Sequence, residues 1–393
     1  MMTTLPTRKS EARSLLNVLA FLFTLHYALI AYLGSSFLGD KISPNAVDVL
    51  YSLASLVTIL AFLALPKILK REGNYGVTFV LIMLDLLSLI GLARGASPLL
   101  LGVAFILNFA TIALVGFDLD VFLESISSDR ATGNIRGTFL TASNLAWVIS
   151  PVLAGFIIAG NNGSGYAKVF IASALLLVPT LLILTPALRG ARGKPSTTSP
   201  LRRTLSVLWK QKDLRGIFAA NFLLQFFYTW MVIYTPLYLH DRIGFGWNEI
   251  GIIFSIMLLP FLLTELPLGI LADKKWGEKE ALTAGFVVMA LSTAALSFIT
   301  VRSIAVFASI LFVTRVGAAM VEIMSETYFF KRIDTGNTET IALFRTLRPW
   351  CYLISPAIAF LLIPLIGMKY LFLVLGATLL LGIRFSLSLK DTR

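Results

Sequence analysis

The chain has 393 residues, of which 57% are hydrophobic and only 14% are charged, and its formal net charge is +12. Soluble domains typically carry about 25% charged residues, so this composition excludes an ordinary soluble protein and predicts an integral membrane protein. A single cysteine and two histidines exclude a disulfide framework and any metal cluster built from Cys and His. We therefore expect no metal, no cofactor and no enzyme activity.

Long hydrophobic runs recur along the whole chain. Each is close to the roughly 20 residues that a helix needs to cross the hydrocarbon core of a bilayer. The runs cover residues 15–37, 46–69, 75–94, 98–123, 137–160 and 166–188, and then 216–239, 247–272, 279–300, 303–327, 340–362 and 367–388. This pattern predicts an all-α membrane protein with about twelve transmembrane helices, six in each half.

Lysine and arginine residues are distributed unevenly between the two sets of loops. If the N-terminus faces the cytoplasm, 24 of the 33 basic residues lie on the cytoplasmic side, six lie in outer loops and three lie inside spans. Because cytoplasmic loops are enriched in basic residues, both termini are predicted to be cytoplasmic, and we expect the protein in the inner (cytoplasmic) membrane. The topology accounts for the positive charge, so no nucleic-acid partner is expected.

The two halves of the sequence resemble one another at a separation of about 200 residues. A shift of 201 aligns Asp40-Lys41-Ile42 with Asp241-Arg242-Ile243, and a shift of 205 aligns Ile149-Ser150-Pro151 with Ile354-Ser355-Pro356. Collinear matches of this kind predict two halves of similar design. We place the halves at residues 1–188 and 216–393. Residues 189–215 are predicted to be a cytoplasmic basic linker, with an amphipathic helix at the inner leaflet in its second part.

A charged loop between the eighth and ninth runs carries a recognisable motif. Its residues are Gly269, Asp273, Lys274, Gly277 and Lys279. They resemble the signature loop of the major facilitator superfamily, although Glu278 replaces one basic residue of that pattern. The resemblance implies that Asp273 forms a latch between the halves, at the N-terminal end of the fifth helix. The matching first-half loop lacks the aspartate.

The family resemblance also implies a fold and a mechanism. In that family the first, fourth, seventh and tenth helices line a central cavity, helped by the second, fifth, eighth and eleventh, and transport proceeds by alternating access of the two halves. The substrate-cavity candidates on these helices are His26, Tyr27, Asn108, Asn144, Gln225, Tyr228, Trp230 and Arg315. The expected partners are a small-molecule substrate, protons and the lipid bilayer, and we expect a monomer.

Charged residues inside spans are the strongest functional candidates, because an ion at the centre of a bilayer costs at least about 2.5 kcal/mol. On the tenth span, Arg315, Glu322 and Glu326 fall on one helix face. Arg345 and Arg348 of the eleventh span are predicted to pair with these glutamates across the short loop, so Glu326, Arg345 and Arg348 are charge-pair candidates. Structural neutralisation is the alternative to a functional role.

Two carboxylates are candidates for proton coupling. Glu322 lies one turn deeper in its span than Glu326, where burial and a nearby arginine act on its protonation in opposite directions. Asp85 lies in the middle of the third span without an obvious partner, and a structural hydrogen bond is the alternative for it. His26 is either a proton or substrate group or simply a hydrogen-bonded histidine. Asp118, near the inner end of the fourth span, is expected to reach water or loop arginines.

The fifth span contains Ala146, Ser150, Pro151, Ala154 and Gly155, which resemble the antiporter signature of the same family. Close helix packing through small residues is the alternative explanation. We predict a secondary active transporter for a small organic solute that is coupled to protons, with export or antiport favoured. The alternative functions on the same fold are a non-transporting membrane receptor and a lipid-translocating protein.

Overall fold

The computed structural model describes residues 5–95, 97–126, 132–159, 165–188, 211–264, 277–332 and 338–390. Within these ranges the protein is helical and contains no strand. Eleven helical segments of the described chain are long and apolar enough to cross a membrane, and Trp247–Leu263 is a further, shorter apolar helix. The prediction of an all-α membrane protein with about twelve transmembrane helices is confirmed. The chain divides into two compact units, Met1–Pro195 and Ser196–Arg393.

Within the described part of the first unit there are seven helices. They are α1 (Leu5–Ala31), α2 (Gly34–Lys41), α3 (Pro44–Glu72), α4 (Asn74–Arg94), α5 (Pro98–Ile126), α6 (Thr132–Ala159) and α7 (Gly165–Leu188). Helix α1 packs against α6 and α7, whereas α4 packs against α5 and α7. This arrangement brings α1, α4, α5 and α7 into one bundle, where polar side chains from different spans can meet.

Local sequence signals explain how these helices begin and end. Helix α3 begins after Ser43, whose hydroxyl accepts a hydrogen bond from the backbone N–H of Ala46 at 3.2 Å, and Pro44 occupies its first turn. Helices α3 and α4 join at Gly73, which has a φ of 77° that favours glycine. The first predicted span, 15–37, is not one continuous helix, because the chain leaves α1 at Ala31 and restarts as the short helix α2.

The described residues of the second unit form eight α-helices. They are α8 (Lys212–Leu237), α9 (Trp247–Leu263), α10 (Glu278–Ala295), α11 (Ile304–Arg332), α12 (Thr338–Arg345), α13 (Leu347–Ile366), α14 (Met368–Leu379) and α15 (Leu381–Leu387). A π-helical segment, Tyr238–Ile243, extends α8. Helix α11 packs against α8, α9 and α10, and α13 packs against α8. Helices α8, α11 and α13 therefore form the neighbourhood of the charged residues singled out by the sequence.

Close approach of α10 and α11 depends on glycine. A Cβ atom on Gly317 would lie 2.6 Å from the backbone N of Met289 and 2.8 Å from the carbonyl O of Gly285. Any larger side chain at this position would force the two helices apart. Small residues at helix crossings are the usual means by which membrane helices pack closely.

The eleventh span departs from the continuous helix predicted over 340–362. It breaks at Thr346, so that Arg345 ends α12 and Arg348 lies in the first turn of α13. Pro349 accounts for the break, because proline lacks an N–H and its ring clashes with the carbonyl of the residue four positions earlier. The two arginines therefore lie on different helices.

Part of the predicted linker lies outside the described residues, namely 189–210. Helix α8 already begins at Lys212, inside the predicted linker of 189–215. The amphipathic helix on the linker stays a prediction. Gly269, Asp273 and Lys274 of the motif loop also lie outside the described residues.

Candidate functional site

The first unit buries a group of polar side chains that we call the amino-terminal polar site: His26 of α1, Asp85 and Ser88 of α4, and Asn108 of α5. His26 Nε2 lies 3.0 Å from Asp85 Oδ2, and both side chains are 0% exposed. Asn108 Nδ2 donates a hydrogen bond to the other carboxylate oxygen, Asp85 Oδ1, at 2.7 Å. The site thus joins three helices through one carboxylate.

Backbone contacts hold the members of this site in place. His26 Nδ1 lies 2.8 Å from the carbonyl O of Phe23, one turn earlier on α1. Ser173 of α7 donates its hydroxyl to the carbonyl O of His26 at 2.8 Å. Ser88 donates its hydroxyl to the carbonyl O of Asp85 at 2.6 Å. Both ring nitrogens of His26 therefore lie within 3.0 Å of an oxygen atom.

The His26–Asp85 contact was not foreseen from the sequence. Asp85 is the only acidic residue of α4, and His26 lies in a different span, so no spacing rule connects them. The sequence offered one hint: His26 and Asp85 are both titratable residues inside predicted spans of the same half, and neither has an oppositely charged residue nearby on its own span. Removing one member of such a buried pair typically costs about 3–5 kcal/mol, because the other charge is left uncompensated.

A second buried carboxylate lies between α4 and α5. Asp118 of α5 is 0% exposed and accepts a hydrogen bond from the hydroxyl of Thr78 on α4. Thr78 also donates to the carbonyl O of Asn74 at 2.9 Å. The expectation that Asp118 reaches water was wrong, because the packing of α4 on α5 covers it and a threonine replaces water as its partner.

The second unit contains a corresponding group, the carboxy-terminal polar site: Tyr228 of α8, Arg315 and Glu322 of α11, and Arg348 and Tyr352 of α13. Tyr228 donates its hydroxyl to Glu322 Oε2 at 2.6 Å. Tyr352 forms a hydrogen bond with Arg348, and the charge of Arg315 also acts on its hydroxyl. Glu322 in turn lies in the field of Arg348. Side chains from three helices thus converge here as well.

Arg315 is the least satisfied member of this site. Its side chain is 1% exposed, and its Nε and Nη2 atoms have no hydrogen-bond partner among the described residues. Its Cζ lies 5.1 Å from the ring centroid of Phe227 and 5.3 Å from that of Tyr228. Cation–π contacts recover about 0.5–2 kcal/mol. Each buried unsatisfied donor costs about 1–3 kcal/mol.

Arg315, Glu322 and Glu326, which share one face of α11, each have a different partner. Glu326 forms an ion pair with Arg345 of α12, and both side chains are about one-third exposed. Glu322 is bonded to Tyr228, and Arg315 lies against aromatic rings. Arg315 and Glu322 are seven residues apart, so they share a helix face but are separated by about 10 Å along the axis.

The remaining substrate-cavity candidates have different surroundings. Tyr27 packs edge-on against Trp147 of α6, with ring centroids 5.4 Å apart. Gln225 donates to Asn221 Oδ1 at 3.4 Å on the same helix. Trp230 is buried and donates its indole N–H to the carbonyl O of Ser355 at 2.9 Å, which ties α8 to α13. Asn144 lies partly buried on α6.

Two residues of the signature motif fall within the described chain. Gly277 is the N-cap of α10, and Lys279 lies in the first turn of that helix.

On α6, the small residues Ala146, Ser150 and Ala154 are buried. The described ranges contain no group of three or more His, Cys, Asp or Glu side chains that could hold a metal ion.

Comparison with known proteins places this geometry in context. The sequence pattern of the Major Facilitator Superfamily matches residues 16–348. A search of the curated proteins gave no match.

Three solved structures illustrate the similarity. The human organic anion transporter MFSD10 (TETRAN) has a TM-score of 0.67 and 15% identity, over 96% of this chain and 99% of that chain. A POT family transporter in complex with 5-aminolevulinic acid has a TM-score of 0.78 and 13% identity, over 96% of this chain and 95% of that one. A mutant of the nucleoside transporter NupG has a TM-score of 0.77 and 13% identity, over 96% of this chain and 100% of that chain. At these identities the similarity concerns the fold.

Proposed function

We propose that this chain, which belongs to the Major Facilitator Superfamily, is a secondary active transporter that moves a small organic solute by alternating access and couples this movement to protons. The observation that carries the proton coupling is the fully buried contact between His26 and Asp85.

Proton positions at this contact follow from its geometry. The carbonyl O of Phe23 can only accept, so His26 Nδ1, 2.8 Å away, carries a hydrogen. In a neutral imidazole the lone pair then sits on Nε2, 3.0 Å from a carboxylate oxygen, and the two electron-rich atoms repel each other. The contact is favourable only when one further proton is present, either on the ring as imidazolium or on Asp85 as carboxylic acid. We therefore assign one exchangeable proton to the pair.

Exchange of this proton provides a means of coupling. When the proton leaves, attraction between the ring and the carboxylate turns into repulsion, so α1 and α4 lose a favourable contact. A proton shifts a conformational equilibrium only by its different affinity for the two states. In the inward-facing and outward-facing states the access of water to this pair would differ, and the proton would be held in one state and released in the other.

Glu322 is a second candidate for proton coupling. Its carboxylate accepts a hydrogen bond from Tyr228, and Arg348 lies nearby. Its closest partner is the hydroxyl of Tyr228, and the contacts given for it include no histidine, whereas Asp85 contacts both Asn108 and His26. The two candidates lie in different units, so variants at each can be compared in one transport assay.

Substrate class and direction belong to the same proposal. One structural neighbour is an organic anion transporter and another is a complex with 5-aminolevulinic acid, and these favour small organic acids as the first compounds to test. The small residues of α6 favour export or antiport through their resemblance to the antiporter signature. We further propose a monomer in the inner membrane with both termini in the cytoplasm, in accordance with the basic residues of its loops.

The experiment is solute exchange in proteoliposomes. Wild type, Asp85→Asn and His26→Gln are assayed by counterflow with a panel of radiolabelled organic acids, nucleosides and short peptides, and then by accumulation under an imposed pH gradient. We expect both variants to exchange the solute in counterflow and to lose pH-driven accumulation. Asp118→Asn is the matched control, because it removes another buried carboxylate of the same helix bundle that has no histidine partner.

The results separate the proposal from its alternatives. Full pH-driven accumulation by folded Asp85→Asn and His26→Gln would remove the pair from the mechanism. If wild-type protein exchanges no solute but speeds the movement of a fluorescent phospholipid between leaflets, the protein translocates lipid. If it does neither, the non-transporting receptor becomes the better explanation.

A further inference from the structure

Arg315 lies deep inside the second unit. It is eleven residues from the start of α11, which spans Ile304–Arg332, so about 16 Å of helix separates it from that end. Its side chain is 1% exposed, which places the charge far from lipid headgroups and from bulk water. Buried charges in proteins are normally paired or hydrogen-bonded.

The groups around Arg315 leave its in-plane donors unpaired. Phe227 and Tyr228 approach it with their rings, at 5.1 and 5.3 Å from Cζ. Aromatic faces attract a cation, but they are much weaker hydrogen-bond acceptors for N–H groups than a carboxylate or carbonyl oxygen. Nε and Nη2 have no hydrogen-bond acceptor among the described residues. These two donors lie on one edge of the guanidinium, the edge that a carboxylate can engage with both of its oxygens.

The nearest acid on the same helix is already engaged. Glu322 accepts the Tyr228 hydroxyl at 2.6 Å and lies about two turns from Arg315. The fixed charge on Arg315 is therefore not neutralised by the acid that the helix provides. Tyr228, whose ring lies against Arg315, is partly exposed, so one neighbour of the arginine reaches the surface of the second unit.

We propose that Arg315 is the anchor for an organic anion, which binds through a carboxylate to the Nε–Nη2 edge and packs an apolar or aromatic portion against Phe227 and Tyr228. This inference rests on the proposed transport function and assigns its substrate class. An unsatisfied buried cation is retained because the ligand supplies the missing acceptor. In the absence of the ligand, Arg315 destabilises the second unit.

The test measures binding, not transport. Thermal unfolding of the detergent-purified full chain is followed with added sodium benzoate, with benzamide, and with sodium phosphate, all at equal ionic strength. A ligand that binds only the folded protein raises the unfolding midpoint by mass action. We expect benzoate to raise the midpoint more than benzamide, its neutral analogue of similar shape, and more than phosphate, which lacks an apolar portion.

Variants at Arg315 make the test specific. Arg315→Gln should abolish the benzoate-dependent shift and should unfold, without ligand, at the same or a higher temperature than wild type. Arg315→Lys keeps the charge but loses the two-donor edge, so benzoate should bind at least about tenfold more weakly. Arg242→Gln, which removes an exposed arginine, is the matched control and should retain the full shift.

Several results would overturn the anchor. They are equal shifts with benzoate and benzamide in the wild type, or an undiminished benzoate shift in Arg315→Gln or Arg315→Lys. If Arg315→Gln does not fold, the wild-type comparison and Arg315→Lys still decide the question. Benzoate binding without any pH-driven transport would keep the anchor and reject the proposed coupling. Coupled transport of a neutral solute without benzoate binding would keep the proposed coupling and reject the anchor.

Discussion

Tyr228 of α8 donates its hydroxyl to Glu322 of α11 at 2.6 Å, and this bond connects two helices through a glutamate that lies within a spanning segment. It gives Glu322 a neutral hydrogen-bond donor, while Arg348 still acts on the carboxylate through its charge. The same tyrosine presents its ring to Arg315. Tyr228 is thus the side chain that links Arg315 and Glu322 of α11.

We predict that Glu322→Gln folds, because the amide oxygen still accepts the hydroxyl of Tyr228. If Glu322 is a coupling carboxylate, this variant exchanges solute in counterflow but does not accumulate it under a pH gradient. A purely structural role predicts instead a loss of about 3–5 kcal/mol in the free energy of unfolding, because a nearby arginine is left without its counter-charge. Full pH-driven accumulation by well-folded Glu322→Gln would leave Asp85 as the remaining candidate.

Tyr228→Phe isolates the hydrogen bond from the charge. The variant keeps the ring that faces Arg315 and removes only the donor to Glu322. We expect the free energy of unfolding to fall by about 1.5–3 kcal/mol, the range for a hydrogen bond to a charged group. Denaturant titration in detergent measures it, with Tyr27→Phe on α1 as the control. Equal stability of wild type and Tyr228→Phe would show that the bond contributes nothing.

The His26–Asp85 pair can be tested by a double-mutant cycle. We expect His26→Leu and Asp85→Leu each to destabilise the protein by about 3–5 kcal/mol, because each leaves the other polar group buried without its partner. The double variant should be more stable than the sum predicts, by about 0.5–3 kcal/mol. Combining His26→Leu with Asp118→Asn, which shares no partner with it, should be additive. Strict additivity within the first cycle would mean that the two side chains do not interact.

Gly317 tests the packing of α10 on α11. Gly317→Val should lower the free energy of unfolding by about 1–3 kcal/mol or more, because a Cβ atom would lie 2.6 Å from the backbone of α10. Gly116→Ala on α5 is the matched control, since a Cβ there meets nothing within 4 Å. That change should be neutral or stabilising by up to about 1 kcal/mol. Similar stabilities for the two variants would argue against the close crossing.

The predicted topology can be tested by labelling with a membrane-impermeant maleimide. Cys351→Ser provides the background, because serine can replace the buried thiol, which lies 3.4 Å from the carbonyl O of Phe222. A cysteine introduced by Ser196→Cys should be labelled only after permeabilisation, since the linker is predicted to be cytoplasmic. A cysteine from Ser97→Cys, in a predicted outer loop, should be labelled in intact cells. The opposite pattern would invert the topology.

The fold class and the approximate position of each span could be predicted from the sequence, because a transmembrane helix satisfies its backbone hydrogen bonds within one continuous segment. Hydrophobicity over about 20 residues therefore carries that information locally. Interruptions were less predictable. The break at Thr346 has a local cause in Pro349, whereas the end of α1 at Ala31 occurs within a hydrophobic run and has only the weaker signal of Gly34-Ser35-Ser36 after it.

Partners of the buried charged groups were decided only by tertiary structure. Helical spacing placed Arg315 and Glu322 on one face, but it could not show that a tyrosine of α8 would take the glutamate and that aromatic rings would cover the arginine. Asp85 likewise had no local partner, and His26 reaches it only because α1 and α4 enter the same bundle. A side chain contacts another over a few ångströms, and which residues come that close across spans depends on how the helices pack.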